Sequence, residues 1–281
     1  MEKTITELLN FGIIIIDKPT GPTSFSISDY VRRRLGLSKT SHFGTLDPMV
    51  TGVLPVALGR ACRLTGVFLG HDKIYVGIMH THKENNIKEL QKIIDEKFSG
   101  KIMQLPPKKS RVKRAVRERE IKRFELLEVS EDKKDFLFIA EVQGGTYIRK
   151  LCSDLGDLIG GAHMAELRRI KAGVFEESQS VTLYDLDKAV DEFEKNKNPE
   201  KLKAIIIPAE EGIKKVLPIY QVKESAVFKL KTGKPLFAQD LEKRVVIKEE
   251  HFAIFMKEKF VGLYKSADQD DIIGKAEFVF N

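Results

Sequence analysis

Only two cysteines occur in 281 residues, Cys62 and Cys152, ninety positions apart and outside any C-x-x-C spacing. That leaves no disulfide framework and argues against a structural zinc site. Long apolar runs are missing as well. The densest near the start, Gly12 to Ile16, falls far short of the roughly 20 residues a membrane-spanning helix needs. Glu2 and Glu7, not a basic segment, precede it. A cytoplasmic, unprocessed protein with no membrane association is therefore expected. No internal repeat, no tract of linker composition and no cofactor-binding motif is found. What is present, 42% hydrophobic and 32% charged residues with 20 Gly and 10 Pro, is the makeup of a globular protein, neither low-complexity nor disordered. The length suits one large domain and a small one.

Charge is unevenly placed. Forty-eight Lys and Arg against 41 Asp and Glu give a net +7. Between Lys108 and Arg123 nine basic residues face only Glu118 and Glu120, a surplus of seven that equals the whole net charge. So dense a block repels itself unless an anion neutralises it, and a nucleic acid backbone is the commonest such partner. A solvated charged face is the alternative.

Periodicity gives an outline. Ile13 to Ile16 reads as a buried strand, and two prolines and a glycine between Asp17 and Pro22 then turn the chain. Ser24 is the expected N-cap of a helix striped by Ile27, Val31 and Leu35, and Gly36 stands where a left-handed terminal residue is expected. Lys39 to Gly52 reads as an ordered loop, of the kind that carries function in compact domains, leading into a strand at Val53 to Leu58. Tyr75 to Met79 and Phe136 to Val142 are further strands; Ile87 to Phe98 and Tyr147 to Ile159 are helices at 3.6 spacing. Strands and helices mix without strict alternation, which predicts an α+β fold with a mixed sheet. Asp191 to Lys203 is a charged peripheral segment. Beyond Pro218, β-rich runs at Phe252 to Met256, Phe260 to Tyr264 and Glu277 to Phe280 surround an amphipathic stretch, Lys223 to Leu230, as in a small β-barrel. The expected domains are 1–215 and 216–281.

The segment His42-Phe43-Gly44-Thr45-Leu46-Asp47-Pro48 sets one carboxylate in a loop fixed by glycine and proline between apolar Leu46 and Met49. Such a carboxylate can serve as a nucleophile or merely form a turn. His42 to Leu64 closely resembles the catalytic motif of the tRNA pseudouridine-55 synthase and dyskerin family. Asp17-Lys18-Pro19 with Gly21-Pro22-Thr23-Ser24, Lys73-Ile74-Tyr75, Gly144-Gly145-Thr146-Tyr147-Ile148-Arg149 and Gly161 to Arg169 resemble its other motifs, in the family's order. Pro106-Pro107 and Ser110 to Arg114 are similar to the archaeal and eukaryotic branch, whose members act within box H/ACA guide-RNA particles and carry a C-terminal PUA domain. Ser225-Ala226-Val227 with Thr232-Gly233 resembles the start of that domain.

The resemblance implies an RNA pseudouridine synthase that isomerises uridine in tRNA (uridine 55), or, with guide RNA and small partner proteins, in rRNA. Breaking the glycosidic bond and rejoining the base through C5 needs no metal or other cofactor. The resemblance implies Asp47 as nucleophile, Arg149 as the cation that keeps it ionised in a dry pocket, and Tyr75 stacked on the target base with its hydroxyl available for proton transfer. Leu167 would wall the pocket, His42 would help extrude or hold the substrate strand, and Lys18 and Tyr147 would complete the substrate contacts. A flipped-out base costs a few kcal/mol to unstack. Lys108, Lys109, Arg111, Lys113, Arg114, Arg117 and Arg119 are the expected strip gripping the RNA backbone, extended by Lys18, Lys39, Arg60 and Arg63. His80 and His82 alternate along a strand but show no third ligand, so they read as structural and no metal site is expected. Phe43 stands where the family usually has a small residue, and Arg111 where the guide-dependent branch usually has alanine. A noncatalytic RNA-binding scaffold is the competing reading.

Overall fold

A computed structural model describes residues 3–106, 113–243, 245–269 and 271–281. Lys108, Lys109 and Arg111 of the expected RNA strip lie outside the described residues. The chain forms two compact units, Met1–Ile206 and Ile207–Asn281. The expected division at 215/216 falls at the end of a helix, Ala209–Val216.

In the first unit α1 (Ile5–Asn10) starts from a capping box, with Thr4 accepting from the Glu7 amide and Glu7 accepting from Thr4. It leads into β1 (Gly12–Lys18), whose four isoleucines are fully buried. A strand covered on both faces reads as a continuous apolar run, not an alternation. α2 (Ser24–Arg34) is capped by Thr23, which accepts from the Ser26 amide at 3.0 Å, and not by the expected Ser24. Ser24 is buried, with its hydroxyl spent elsewhere. Gly36 is left-handed as expected (φ +62°).

The stretch expected to be one loop, Lys39 to Gly52, contains a short strand, β2 (Thr40–His42), paired with β3 (Thr51–Leu58). Only 43–50 is loop. After α3 (Thr65–Leu69) come β4 (Lys73–Thr81), α4 (Ile87–Lys97), β5 (Gly100–Gln104), β6 (Arg117–Val129) and β7 (Asp135–Val142). Then follow α5 (Ile148–Ile159), β8 (Ala162–Ala172), β9 (Phe175–Glu176), α6 (Leu183–Asn196) and α7 (Glu200–Ala204). The main sheet runs β1-β3-β8-β4-β7-β6-β5, with β2 on β3 and β9 on β8. β3 and β8 are parallel and the other pairs antiparallel, the mixed sheet that the sequence predicts.

Of the elements that depart from the outline, two bear on the site. Residues 117–123 of the basic block belong to β6, and β8 was not signalled by the pattern at all. Five of its eleven residues are polar or charged, so its apolar positions do not stand out. β8 is nevertheless central, between β3 and β4. Gly77 lets it sit close, since a Cβ there would lie 2.6 Å from the Glu166 carbonyl oxygen and 2.8 Å from Leu167 Cδ1.

The second unit has a five-stranded sheet in the order Ile219–Gln221, His251–Met256, Lys259–Gln269, Ile272–Val279 and Leu236–Phe237, with a helix at Glu224–Lys231. Tyr220, Phe252 and Tyr264 pack in its core: Phe252 meets Tyr220 edge-on at 5.4 Å and Tyr264 stacked at 6.2 Å. It is the small β module expected from the texture beyond Pro218.

Candidate active site

Asp47 stands in the 43–50 loop. Its carboxylate meets the Arg149 guanidinium at 3.2 Å. Arg149 is the second residue of α5, a helix with no acidic residue in its first turn. A cation there opposes the helix dipole, so only a nearby anion makes the position favourable. Asp47 is that anion. Both side chains are 45% exposed, which corrects the expectation of a dry pocket and a buried guanidinium. A single side-chain contact among the described residues leaves lone pairs of the carboxylate for a ligand.

The loop is held from behind. Lys18 is fully buried and its ammonium donates to the carbonyls of Pro19, Pro48 and Val50, each at 2.9 Å. Burial pulls its pKa down and Asp47 opposes that pull. Three acceptors for three N–H donors leave nothing for a phosphate, so Lys18 braces the loop and is placed neither to touch substrate nor to extend an RNA-binding strip. Ser24 grips Leu46 twice: its hydroxyl donates to the Leu46 carbonyl at 3.0 Å and accepts from the Leu46 amide at 2.8 Å. The Gly21 amide donates to the Pro48 carbonyl. The first motif is thus a cradle for the loop that presents Asp47.

Arg149 is fixed from its own side. Gln104, buried at the end of β5, donates to the Tyr147 carbonyl at 3.1 Å and accepts from the Tyr147 amide at 2.8 Å. Tyr147 is the N-cap residue of α5. Arg119, expected on the RNA backbone, donates through Nε to the Gly145 carbonyl at 3.1 Å and through Nη1 to its neighbour Glu118's carbonyl. It holds the glycine turn before α5, with only part of its donor set left for RNA. Lys113, Arg114 and Arg117 are exposed.

Tyr75 lies on β4 opposite Arg169 of β8, and Leu167 opposite Gly77. Tyr75 and Leu167 are each 8% exposed, which leaves one narrow face of each open. The buried Arg169 donates to the Val53 carbonyl at 2.8 Å and to the Gly44 carbonyl at 3.0 Å, and it interacts electrostatically with the hydroxyl of Tyr75, its cross-strand partner. It therefore ties the Tyr75 strand to the Asp47 loop. His42, at the end of β2, lies 3.2 Å from the Thr45 hydroxyl; burial, then the Arg169 charge, push its pKa below the usual value, so the ring is neutral at pH 7. Lys73, buried at the start of β4, donates to the Leu69 and His71 carbonyls, and burial and Arg169 bring its pKa down to about 8. Arg169, Gln104 and Lys73 are the residues that sequence reasoning left without a role. Their signal is charge or amide at strand positions where apolar residues are the rule.

Phe43 does not face the site. Its ring is buried, stacked on Phe68 at 4.8 Å and beside Phe175 at 6.2 Å, so the departure at this position is absorbed by the core. His80 and His82 do have a third imidazole nearby, because β8 brings His163 opposite His80. The three ring centroids are 5.2 to 6.4 Å apart and Asp135 binds His80 at 2.7 Å. Among the described residues no group of three or more such side chains is placed to hold a metal.

The chain defines a class: a mixed-sheet protein with a loop aspartate paired to a helix-terminal arginine. Residues 32–148 match the TruB family pseudouridylate synthase N-terminal domain, and residues 149–214 the tRNA pseudouridylate synthase B C-terminal domain. The probable tRNA pseudouridine synthase B of Methanocaldococcus jannaschii is 42% identical over 243 residues, 86% of this chain and 71% of that protein. Its counterpart from Methanococcus aeolicus is 45% identical over 242 residues, 86% of this chain and 72% of that protein. Among solved structures, that of a Cbf5-Nop10-Gar1 complex superposes with a TM-score of 0.90 at 36% identity, covering 99% of this chain and 88% of that one. An H/ACA RNP bound to a substrate RNA containing 2'-deoxyuridine superposes at 0.88 and 34% identity, covering 99% and 88%. The chain belongs to the TruB family of pseudouridine synthases, RNA isomerases.

Proposed function

We propose that this chain converts uridine to pseudouridine in RNA with Asp47 as the nucleophile, on uridine 55 of the tRNA TΨC loop and, when guide RNA of the box H/ACA type selects the site, on rRNA uridines. The observation that carries the assignment is the Asp47–Arg149 contact at 3.2 Å, held by buried braces on both sides yet half open to solvent. A carboxylate must be ionised to attack, and a guanidinium that keeps its charge at any working pH holds it so. The isomerisation breaks N1–C1′, turns the uracil, forms C5–C1′, and moves one proton from C5 while N1 regains one. Tyr75 and Leu167 would flank the ring, with the Tyr75 hydroxyl available to the moving proton. Tyr147 and the neutral His42 would border the nucleotide, and RNA covering Asp47 would exclude water from it.

Exposed Lys113, Arg114 and Arg117, together with Lys108, Lys109 and Arg111, are the proposed backbone contacts, positioning RNA without reading its sequence. The proposed domains are a catalytic 1–215 and a PUA-like, RNA-binding 216–281. The relatives' names favour tRNA, whereas the similar solved structures are a Cbf5-Nop10-Gar1 complex and an H/ACA RNP. Small proteins of that kind are the proposed partners, and the cytoplasm the proposed location; no helix among the described residues is long and apolar enough to cross a membrane. Purified chain with tRNA alone, compared with guide RNA plus partner proteins, separates the two modes. Full conversion of bare tRNA supports stand-alone action. Conversion only with guide and partners assigns the chain to the guided mode, and conversion in neither contradicts the proposal. A scaffold without chemistry predicts RNA binding and no product.

A further inference from the structure

Arg169 is the largest fully buried side chain among the described residues, at 1% exposure, and its charge is strangely placed. Its neighbour on β8, Arg168, reaches out to two carboxylates, Asp17 and Glu177. Arg169 points inward, where its described partners are two carbonyls and a phenol: Val53 at 2.8 Å, Gly44 at 3.0 Å and the Tyr75 hydroxyl. A buried cation without a carboxylate partner is expensive, and an apolar side chain of similar size is commonly as stable or more so. Folding stability alone gives no reason for this guanidinium.

Its contacts give one. Gly44 begins the loop that carries Asp47, and Val53 lies in the strand just after it. Gly44 is left-handed (φ +102°), and a Cβ there would stand 3.3 Å from Arg169 Nη1. On the other side of the loop Gly52 pairs with Arg169, with room for no side chain: a Cβ would lie 2.2 Å from the Arg169 carbonyl oxygen. One residue thus touches both ends of the nucleophile's loop. The same planar group lies beside Tyr75, its cross-strand partner, and interacts electrostatically with the phenolic oxygen. A guanidinium is a rigid fork, so fixing two of its arms on the backbone sets the direction of the third. A cation beside the phenolic oxygen favours the O–H turned away from it and so limits where that proton can point.

We infer that Arg169 is a positioning residue for the reaction: it sets the Tyr75 hydroxyl relative to the Asp47 loop, so that one rigid fork fixes the distance between nucleophile and proton-handling group. The inference rests on the proposed roles of Asp47 and Tyr75. Misplacing reacting groups by about 1 Å can cost a hundredfold in rate, so such a residue shows itself in turnover, not in RNA affinity.

A double-mutant cycle on the full chain tests it, with single-turnover rate and RNA affinity measured separately on tRNA, or on guide, substrate and partners where those are needed. Arg169→Lys keeps the charge and loses the fork; Tyr75→Phe keeps the ring and loses the hydroxyl. Arg169→Lys is expected to slow turnover by ten- to a hundredfold with RNA affinity within about threefold, and to have less than about a threefold further effect in the Tyr75→Phe background. Full multiplication of the two losses, or equal losses of rate and affinity, reduces Arg169 to a structural arginine and overturns the inference. A Tyr75→Phe variant as active as the parent instead removes the proposed role of Tyr75 itself, a different failure. Should Arg169→Lys not fold, the wild-type chain with 15N-labelled arginine supplies the test. Tyr75→Phe must change the Arg169 Nη signals while the Nε proton, bound to the Val53 carbonyl, stays protected. Unchanged Nη signals overturn the inference equally.

Discussion

Two of the aspartate–arginine pairs in the first unit, both reaching across the fold, are built differently. Asp17 and Arg168 meet through two parallel hydrogen bonds of 2.9 Å, and Glu177 takes a further arm of the same guanidinium. Asp47 and Arg149 meet once, at 3.2 Å, with both side chains nearly half exposed. The first pair is saturated and joins β1 to β8 and the turn after β9. In the second, rigidity comes from the surroundings: Lys18 and Ser24 hold the loop, Gln104 and Arg119 hold the start of α5. A structural pair spends its hydrogen bonds on itself, whereas a reactive pair is held in place by others and keeps its own capacity for a ligand.

Substitutions that cross this division sharpen it. Arg149→Met is expected to cost at least a hundredfold in turnover, since the donor beside the reacting carboxylate is lost, while thermal unfolding stays within a few degrees of the parent. Lys18→Met removes the donor from three carbonyls, of which Pro48 keeps the Gly21 amide, and should destabilise the chain by about 2 kcal/mol, with activity falling because the loop loosens; urea unfolding and single-turnover rates check both. Arg168→Met, at a partly exposed pair, should cost about 1 kcal/mol of stability and leave turnover within about threefold. A large loss of turnover there, with stability intact, would erase the distinction.

The smallest effect concerns pH. Lys73 gives up its proton near pH 8 in the folded chain, against an ordinary value of 10.5. Between those values the unfolded chain binds more protons, so stability rises with pH across that window. Tyr220 and Tyr264, both pushed up to about 12, work in the opposite direction once free tyrosine ionises near pH 10. Burial also pushes the Cys152 thiol up to about 12, and this opposes the rise once a free thiol ionises near pH 8.5. The Lys73 contribution is therefore read as the parent's urea midpoint minus that of Lys73→Met, a difference that should grow from pH 8 to about 10.

The sequence made Asp47, Tyr75, Leu167 and Arg149 legible because glycine and proline punctuation isolates their motifs, and a family resemblance ties those motifs together. Strand β1 was legible from four isoleucines, and α5 from apolar residues at helical spacing. The brace was not legible. Lys18 reads as a basic residue free for phosphate until three carbonyls are seen around its ammonium, and Arg169 lies in a polar strand that gives no β-periodicity. Arg119 reads as part of a charged strip, although its position in β6 turns it toward Gly145. Charges inside a fold are assigned by neighbours distant in sequence, which spacing along one chain does not reveal.

The central claim is tested most directly by Asp47→Asn, which keeps the shape of the side chain and removes its negative charge. Conversion of uridine should fall below detection while RNA affinity stays within about threefold of the parent. Product formed at the parent's rate would contradict the account.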